Sequence, residues 1–414
     1  TDRRDADTLA PALVELEGTR CEYHLGEHRT ADFTGAELVI ANPAVPPNSP
    51  YLEAARAAGV RITSELELFL EHCPASLALI SGTQGKSSTA NFLAQLLADT
   101  GRRAWLGGNI GRSLLDDLDA MGSGDIAVVE VSSYQLDALP AERIQNVTAA
   151  ALVNVLVDHL ERHGSALGYA QAKARLLGLI PAGGTLVLPA ELAAREPFAS
   201  GIGAHLLVAQ LGPGQASRIE NGQFWLEGRC LAPVEQLRVL GEFQRENALI
   251  ALSLARALGV SHAHLAARLP LLEGLPHRLQ ELGEHAGLRV IDNGVCTTPD
   301  SALSALQGLP RASAVLLGGK PKVGLSFEAL AELCAERGDT VLAFGDAAPS
   351  LCKSFGLAGA RVSGYHTLEA AVDAAYRHRP DGGVLLFSPA CASFDAFPNF
   401  RARAEHFRTL LPNS

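Results

Sequence analysis

Short apolar runs at 77–80, 126–129, 151–153, 315–317, 341–344 and 384–387 recur along the chain and alternate with longer amphipathic segments. A run that is apolar at every position cannot leave one face to water. It must be covered on both sides, as strands of a parallel sheet are when helices make the crossovers. The helical partner is clearest after Lys86, where Phe92, Leu93, Leu96 and Leu97 share one face before Gly101 interrupts the pattern. The fold class read from this alternation is α/β.

A chain of 414 residues is longer than one hydrophobic core usually serves. The strands fall into three groups, divided near "LEHCPAS" and near "LLEGLPHRL", so the expectation is three domains at 1–70, 71–275 and 276–414. Within the middle group, 184–214 and 222–237 are richer in turn residues and short strands, and both are expected to form a smaller antiparallel sheet.

With 19% charged residues and a net charge of -11, the chain is a poor candidate for nucleic-acid binding, and any polyanionic ligand has to be held by local donors. No stretch is long and apolar enough to cross a bilayer, and the first residues lack an apolar signal core, so no membrane insertion and a cytoplasmic location are expected. The cysteines, odd in number and without a CxxC pair, fit reduced thiols.

The strongest local motif is "ALISGTQGKSSTANFLAQLL", an apolar strand, a loop bounded by Gly82 and Gly85, and a helix. Such a loop cradles phosphates. Its glycines let backbone N–H groups approach, the helix N-terminus adds positive potential, Lys86 can reach phosphate oxygens and the Ser87 hydroxyl can ligate Mg²⁺. Thr83, Gln84 and Ser88 complete the set of loop residues expected at the phosphates, although GxxGKS is shorter than the common GxxxxGK[ST] pattern. Glu130 ends the apolar strand of "DIAVVEVSSYQL", where open parallel sheets present side chains to ligands, and is a candidate Mg²⁺ carboxylate; a helix-capping acid is the plainer reading. In "NVLVDHLERHGSALGYAQAKARLL", Asp158, His159, His163 and Lys173 follow another apolar strand. A zinc-protease reading fails there, because HExxH needs Glu after the first His and Leu160 stands in that place.

The motifs "GTQGKSS", "EVSSYQL", "NVLVDHLERH" and "QAKARLL" resemble, in order, the central-domain motifs of the Mur ligases and their folylpolyglutamate synthase relatives. The resemblance continues through "GEFQRENALIAL", "GLPHRLQ", "LLGGKPK" and "SPACASFDAFPNFRARAEHFR", and so covers nearly the whole chain. It implies a Rossmann-like first domain lacking its first strand, a central P-loop ATPase-type domain with a mostly parallel sheet, and a Rossmann-like third domain. The last motif resembles the D-glutamate-adding members. The implied reaction is ATP-dependent addition of D-glutamate to UDP-N-acetylmuramoyl-L-alanine through an acyl phosphate, by a monomer.

By resemblance, Ser87 and Glu130 serve one Mg²⁺, while His159 and Lys173 serve a second. Lysine as a cation cannot ligate a metal, so the resemblance also implies a CO₂-derived carbamate on Lys173. Lys86, His159 and Lys173 are the implied catalytic residues; Asn247, Arg278 and Asp292 join the loop in binding ATP; Asn109 in "LGGNIG" meets the uridine substrate; and Thr297, Lys322, Ser393 and Phe400 hold D-glutamate. The sequence departs from the family at "DNGVCTT", where Asn293 occupies the place of the nucleotide-contacting Asp and Val295 that of a Lys. Another Mur or folylpolyglutamate synthase-type ligase, or a P-loop NTPase without ligase activity, are the alternatives.

Overall fold

The computed structural model describes residues 1–156, 158–309, 314–322, 324–377 and 383–412. It comprises two compact units: Thr1–Lys86 with Leu97–Gln215 and Ser253–Val260, and Ser87–Leu96 with Ala216–Leu252 and Ser261–Ser414.

In the first unit, β1 (Leu38–Ile40) and β2 (Arg61–Thr63) pair in parallel through the intervening helix Pro50–Ala57. Phe33, Val39, Leu52 and Ala55 form the small core beside them. The larger sheet of this unit contains β3 (Ser76–Ser81), β4 (Ala104–Gly108), β5 (Ile126–Glu130), β6 (Val147–Leu152), β7 (Thr185–Pro189) and β8 (Leu207–Leu211). Its order is β4-β5-β3-β6-β7-β8, and every neighbouring pair is parallel. All five residues of β5 are buried, which is what a continuous apolar run predicts for a strand covered on both faces. Leu79, Val129, Ala150 and Leu186 join Phe69, Leu136 and Leu176 in one core.

The helix Ala166–Gly178 carries Lys173 on its buried face. Ser165 caps it, its hydroxyl accepting from the Gly168 N–H at 3.0 Å. Tyr169, Ala172, Lys173, Leu176 and Leu177 lie on its buried face, at the three- and four-residue spacing of an amphipathic helix. A lysine in that stripe is the exception that points to chemistry.

One expectation needs correction. The segment 184–214 does not join a separate antiparallel sheet; its strands β7 and β8 extend the parallel sheet. The buried Leu186-Val187-Leu188 run is a doubly covered strand, and the short helices Ala190–Ala193 and Phe198–Gly201 provide the crossover, which dense turn residues disguise in the sequence. The antiparallel expectation holds for the second segment.

In the second unit, β9 (Arg218–Glu220), β10 (Gln223–Leu226) and β11 (Arg229–Pro233) form an antiparallel sheet. A larger sheet follows from β12 (Gln280–His285), β13 (Leu288–Asp292), β14 (Ala314–Gly318), β15 (Thr340–Phe344), β16 (Arg361–Tyr365) and β17 (Gly383–Ala390). Its order is β12-β13-β17-β14-β15-β16; β12 runs antiparallel to β13 and the remaining pairs are parallel. The mixed α/β class expected from the sequence is therefore found in both units. Parallel strands send their C-terminal ends to one edge, so the loops after β3, β5 and β6 are neighbours, as are those after β13, β14 and β17. Among the described residues, no helix is long and apolar enough to cross a membrane.

Leu79 is fully buried in β3, whereas Leu207 in β8 is 60% exposed. Leu79→Ala is expected to destabilise its unit by about 2–5 kcal/mol through lost contacts and a cavity. Leu207→Ala should cost less than about 0.5 kcal/mol. Denaturant titration of the two variants measures the contrast.

Candidate active site

The loop after β3 is held from the end of β6. Gly82 has φ +151°, and a Cβ there would come within 3.0 Å of the Val153 Cβ and 3.2 Å of the Asn154 backbone nitrogen, so the two strand ends approach only around glycine. The Asn154 side chain then grips the loop. Its Oδ1 accepts from the N–H of Thr83 at 3.2 Å and of Gln84 at 2.9 Å, and its Nδ2 donates to the Gln84 carbonyl at 3.2 Å. The Thr83 hydroxyl shares a hydrogen bond with the Tyr169 hydroxyl at 3.0 Å and accepts from the Leu156 N–H at 3.0 Å. Gly85 turns the chain with φ +80°, and Lys86 donates from Nζ to the Thr83 carbonyl at 3.0 Å. Ser87 and the buried Ser88 follow on the first turn of the helix Lys86–Leu96.

Beneath this loop lies Lys173, only 1% exposed. Its Nζ donates to the Gly82 carbonyl at 2.7 Å and the Ser81 hydroxyl at 3.2 Å, and stands 5.3 Å from the centre of the Tyr169 ring. Burial pushes its pKa down to about 7 and the Lys86 charge pushes the same way, against the pull of Glu130 and Asp158. An ordinary lysine is neutral in about four molecules per ten thousand at pH 7, whereas Lys173, lowered to about 7, loses its proton near neutrality.

Glu130, 2% exposed at the end of β5, accepts from Asn109 Nδ2 at 2.9 Å, and its carbonyl accepts from the Asn109 N–H at 2.9 Å. The structure thus joins a proposed metal carboxylate to a residue expected at the uridine substrate. His159 sits in the left-handed region at φ 49°, its ring 5.1 Å from that of Tyr134 and 6.1 Å from that of Tyr169. Its N–H bonds to Asp158 Oδ1 at 2.9 Å. His163 adds a bond between Nε2 and the Ser133 hydroxyl at 3.1 Å, and burial holds its pKa below the usual imidazole value. Among the described residues, no three His, Cys, Asp or Glu side chains group as a ready metal site. A carbamate at Lys173 would change this, since a new anion within electrostatic reach of Glu130 and Asp158 concentrates negative charge that a hard cation neutralises. The donor set fits a Mg²⁺ site on that condition.

In the second unit, Lys322 Nζ donates to the Thr297 hydroxyl at 3.1 Å, bringing together two residues expected to hold the amino acid. Ser393 is buried in the loop after β17, and Phe400 begins the helix Phe400–Thr409 behind the Asn399 cap. Asp292 is fully buried and engaged internally: one oxygen bonds His277 Nδ1 at 2.8 Å and accepts from Arg408 Nε at 2.9 Å, and the other accepts from the Gly294 N–H at 2.8 Å. Asn293 bonds Ser388 and the Leu279 N–H. Asn247, buried on the helix Glu242–Ala257, donates to Gln244 at 3.0 Å, and Arg278 lies half-buried before β12.

Residues 80–255 match the Mur ligase middle domain. Over 421 residues the chain is 32% identical to the UDP-N-acetylmuramoylalanine–D-glutamate ligase of Geobacter metallireducens, covering 99% of this chain and 91% of that protein. The enzyme of the same name from Anaeromyxobacter dehalogenans is 35% identical over 434 residues, again covering 99% and 91%. The chain belongs to the Mur ligase family. Among solved structures, a crystal structure of MurF from Acinetobacter baumannii superposes with a TM-score of 0.62 at 18% identity, covering 89% of this chain and 90% of that one, which speaks to the fold.

For a Mur ligase, the residues that sequence reasoning passed over are informative. Asn154, Tyr134 and Tyr169 hold the loop and His159, yet each reads in the sequence as an ordinary strand-end or helix residue. The signals for Asn154 were a polar residue closing an apolar strand and its place at the head of the motif "NVLVDHLERH". Asn154→Ala removes the grip on Thr83 and Gln84 and is expected to weaken ADP binding by about tenfold or more. Titration calorimetry on the folded variant measures it; wild-type affinity would show that the loop holds its shape without this side chain.

Proposed function

We propose that this chain joins D-glutamate to UDP-N-acetylmuramoyl-L-alanine with cleavage of ATP, a step of peptidoglycan precursor synthesis. The chemistry rests on one observation, the buried Lys173 beneath a glycine-bounded phosphate loop with its amine poised near neutrality. The choice of amino acid rests on the full-length relatives named for D-glutamate.

The loop N–H groups and Lys86 hold the ATP phosphates, and Lys86 leaves the Thr83 carbonyl to do so. The nucleotide-sugar carboxylate attacks the γ-phosphorus, ADP departs and an acyl phosphate forms. The neutral amine of D-glutamate then attacks the acyl carbon, the C–O bond to phosphate breaks, and an amide and inorganic phosphate remain. Lys322 supplies a cation for a substrate carboxylate, with the Thr297 and Ser393 hydroxyls as further donors.

Lys173 is carbamylated in this reading: its neutral amine attacks CO₂, a C–N bond forms and one proton is released. Glu130, and the carbamate with His159, are the proposed ligands of two Mg²⁺ ions, for which Ser87 carries a further hydroxyl. When bound, Mg²⁺ offsets the charge of the phosphates.

Phosphate release from ATP should require both UDP-N-acetylmuramoyl-L-alanine and D-glutamate, and L-glutamate should not substitute. Release without an amino acid would instead identify an NTPase. The carbamate has its own test. After removal of CO₂, activity should return on adding CO₂, and at constant dissolved CO₂ the recovery should be greater at pH 8 than at pH 6. The sign follows from the lowered pKa: protonation below about 7 removes the nucleophilic amine. Recovery independent of pH and CO₂ would refute carbamylation.

A further inference from the structure

The C-terminal motif contains an arginine, Arg403, that the ligase reading leaves without a role. Arg403 is fully buried. Its Nη1 donates to the carbonyls of Gly318 at 3.3 Å and Ala392 at 3.2 Å, and its Nη2 donates to the carbonyl of Cys391 at 3.0 Å. These acceptors belong to two loops. Gly318 ends β14 and leads to Lys322; Cys391 and Ala392 follow β17 and lead to Ser393.

The same loops are stapled beside the guanidinium. Lys320 and Ala392 exchange backbone hydrogen bonds of 2.8 and 3.0 Å. Gly319 permits the approach, having φ +119°; a Cβ there would stand 2.3 Å from the Ala392 carbonyl oxygen and 2.7 Å from Arg403 Nη1. Arg403 itself lies one turn into the helix that begins at Phe400.

For stability alone this arrangement is a poor choice. Desolvation pushes the Arg403 pKa down to about 10, against the pull of Asp395, Cys391 and Cys296, and Nε has no partner among the described residues. A buried charge on neutral carbonyls is commonly matched or bettered by well-packed apolar side chains. What an apolar residue cannot do is donate to three carbonyls of two loops at once.

Resting on the reading of Thr297, Lys322, Ser393 and Phe400 as the D-glutamate site, we infer that Arg403 is a positioning residue that sets the spacing of the two loops carrying Lys322 and Ser393. It touches no substrate. It acts on the amino acid through the loops, leaving ATP and the nucleotide sugar unaffected.

The test compares wild type with R403K, which keeps a cation but loses the planar fork. The KM for D-glutamate should rise about ten- to a hundredfold, as misplacement by an ångström can cause. The KM values for ATP and UDP-N-acetylmuramoyl-L-alanine should change less than about twofold, within the spread of indirect effects. An unchanged KM for D-glutamate would overturn the inference, as would equal losses towards all three substrates. Should R403K not fold, G319A forces the same loops apart with Arg403 intact, and must show the same selective rise; a wild-type profile there is equally fatal. Wild-type enzyme lacking D-glutamate-dependent phosphate release would sink the substrate reading itself, a result separate from either variant's.

Discussion

A lysine ammonium held 2.7 Å from the Gly82 carbonyl, out of reach of water, is the contact on which the first unit is organised. Burying a cation without a direct anionic partner is costly, so the surroundings must supply acceptors at fixed positions. The sharp turn at Gly82, the Ser81 hydroxyl and the packing of the helix Ala166–Gly178 all meet that demand. The phosphate loop inherits its shape from the same place: Asn154 fixes its outer backbone from the end of β6, and Lys173 fixes its root.

The second unit solves a related problem in a related way. Arg403 is also a buried cation on backbone carbonyls beyond the ends of parallel strands, there β14 and β17. Both sites use the property that parallel strands deliver their following loops to one edge, where carbonyls with unused lone pairs are available. The two differ in protonation. Lys173 is pushed to about 7 and can lose its proton near neutrality, whereas Arg403, at about 10, remains charged. The first suits the carbamylation proposed for Lys173; the second suits a permanent structural charge.

The departures at Asn293 and Val295 adjoin a buried knot around Asp292, where the Val295 N–H donates to the His277 carbonyl at 3.1 Å. Asp292 anchors His277 and Arg408 at the start of the second large sheet, and Asn293 ties the end of β13 to β17 through Ser388. His277 and Leu279 flank this knot in the left-handed backbone region. Through these bonds Asp292 holds the entry segment in place.

Periodicity and local chemistry were enough to read the α/β class and the strand–loop–helix at 76–96, because each depends on neighbours in sequence, whereas Lys173 stood out only by resemblance. Resemblance added Glu130, His159 and the Thr297–Lys322 pair. Sequence could not reveal that 185–211 extends the parallel sheet, since turn residues look alike around antiparallel and crossover strands. Nor could it show Asn154 gripping a loop 70 residues away, Asn109 bonding Glu130, or Arg403 clamping two loops. Those contacts join positions distant in the chain, and strand order alone determines which loop ends meet. Burial, and with it the lowered pKa of Lys173, likewise exists only once the sheet and its helices have excluded water.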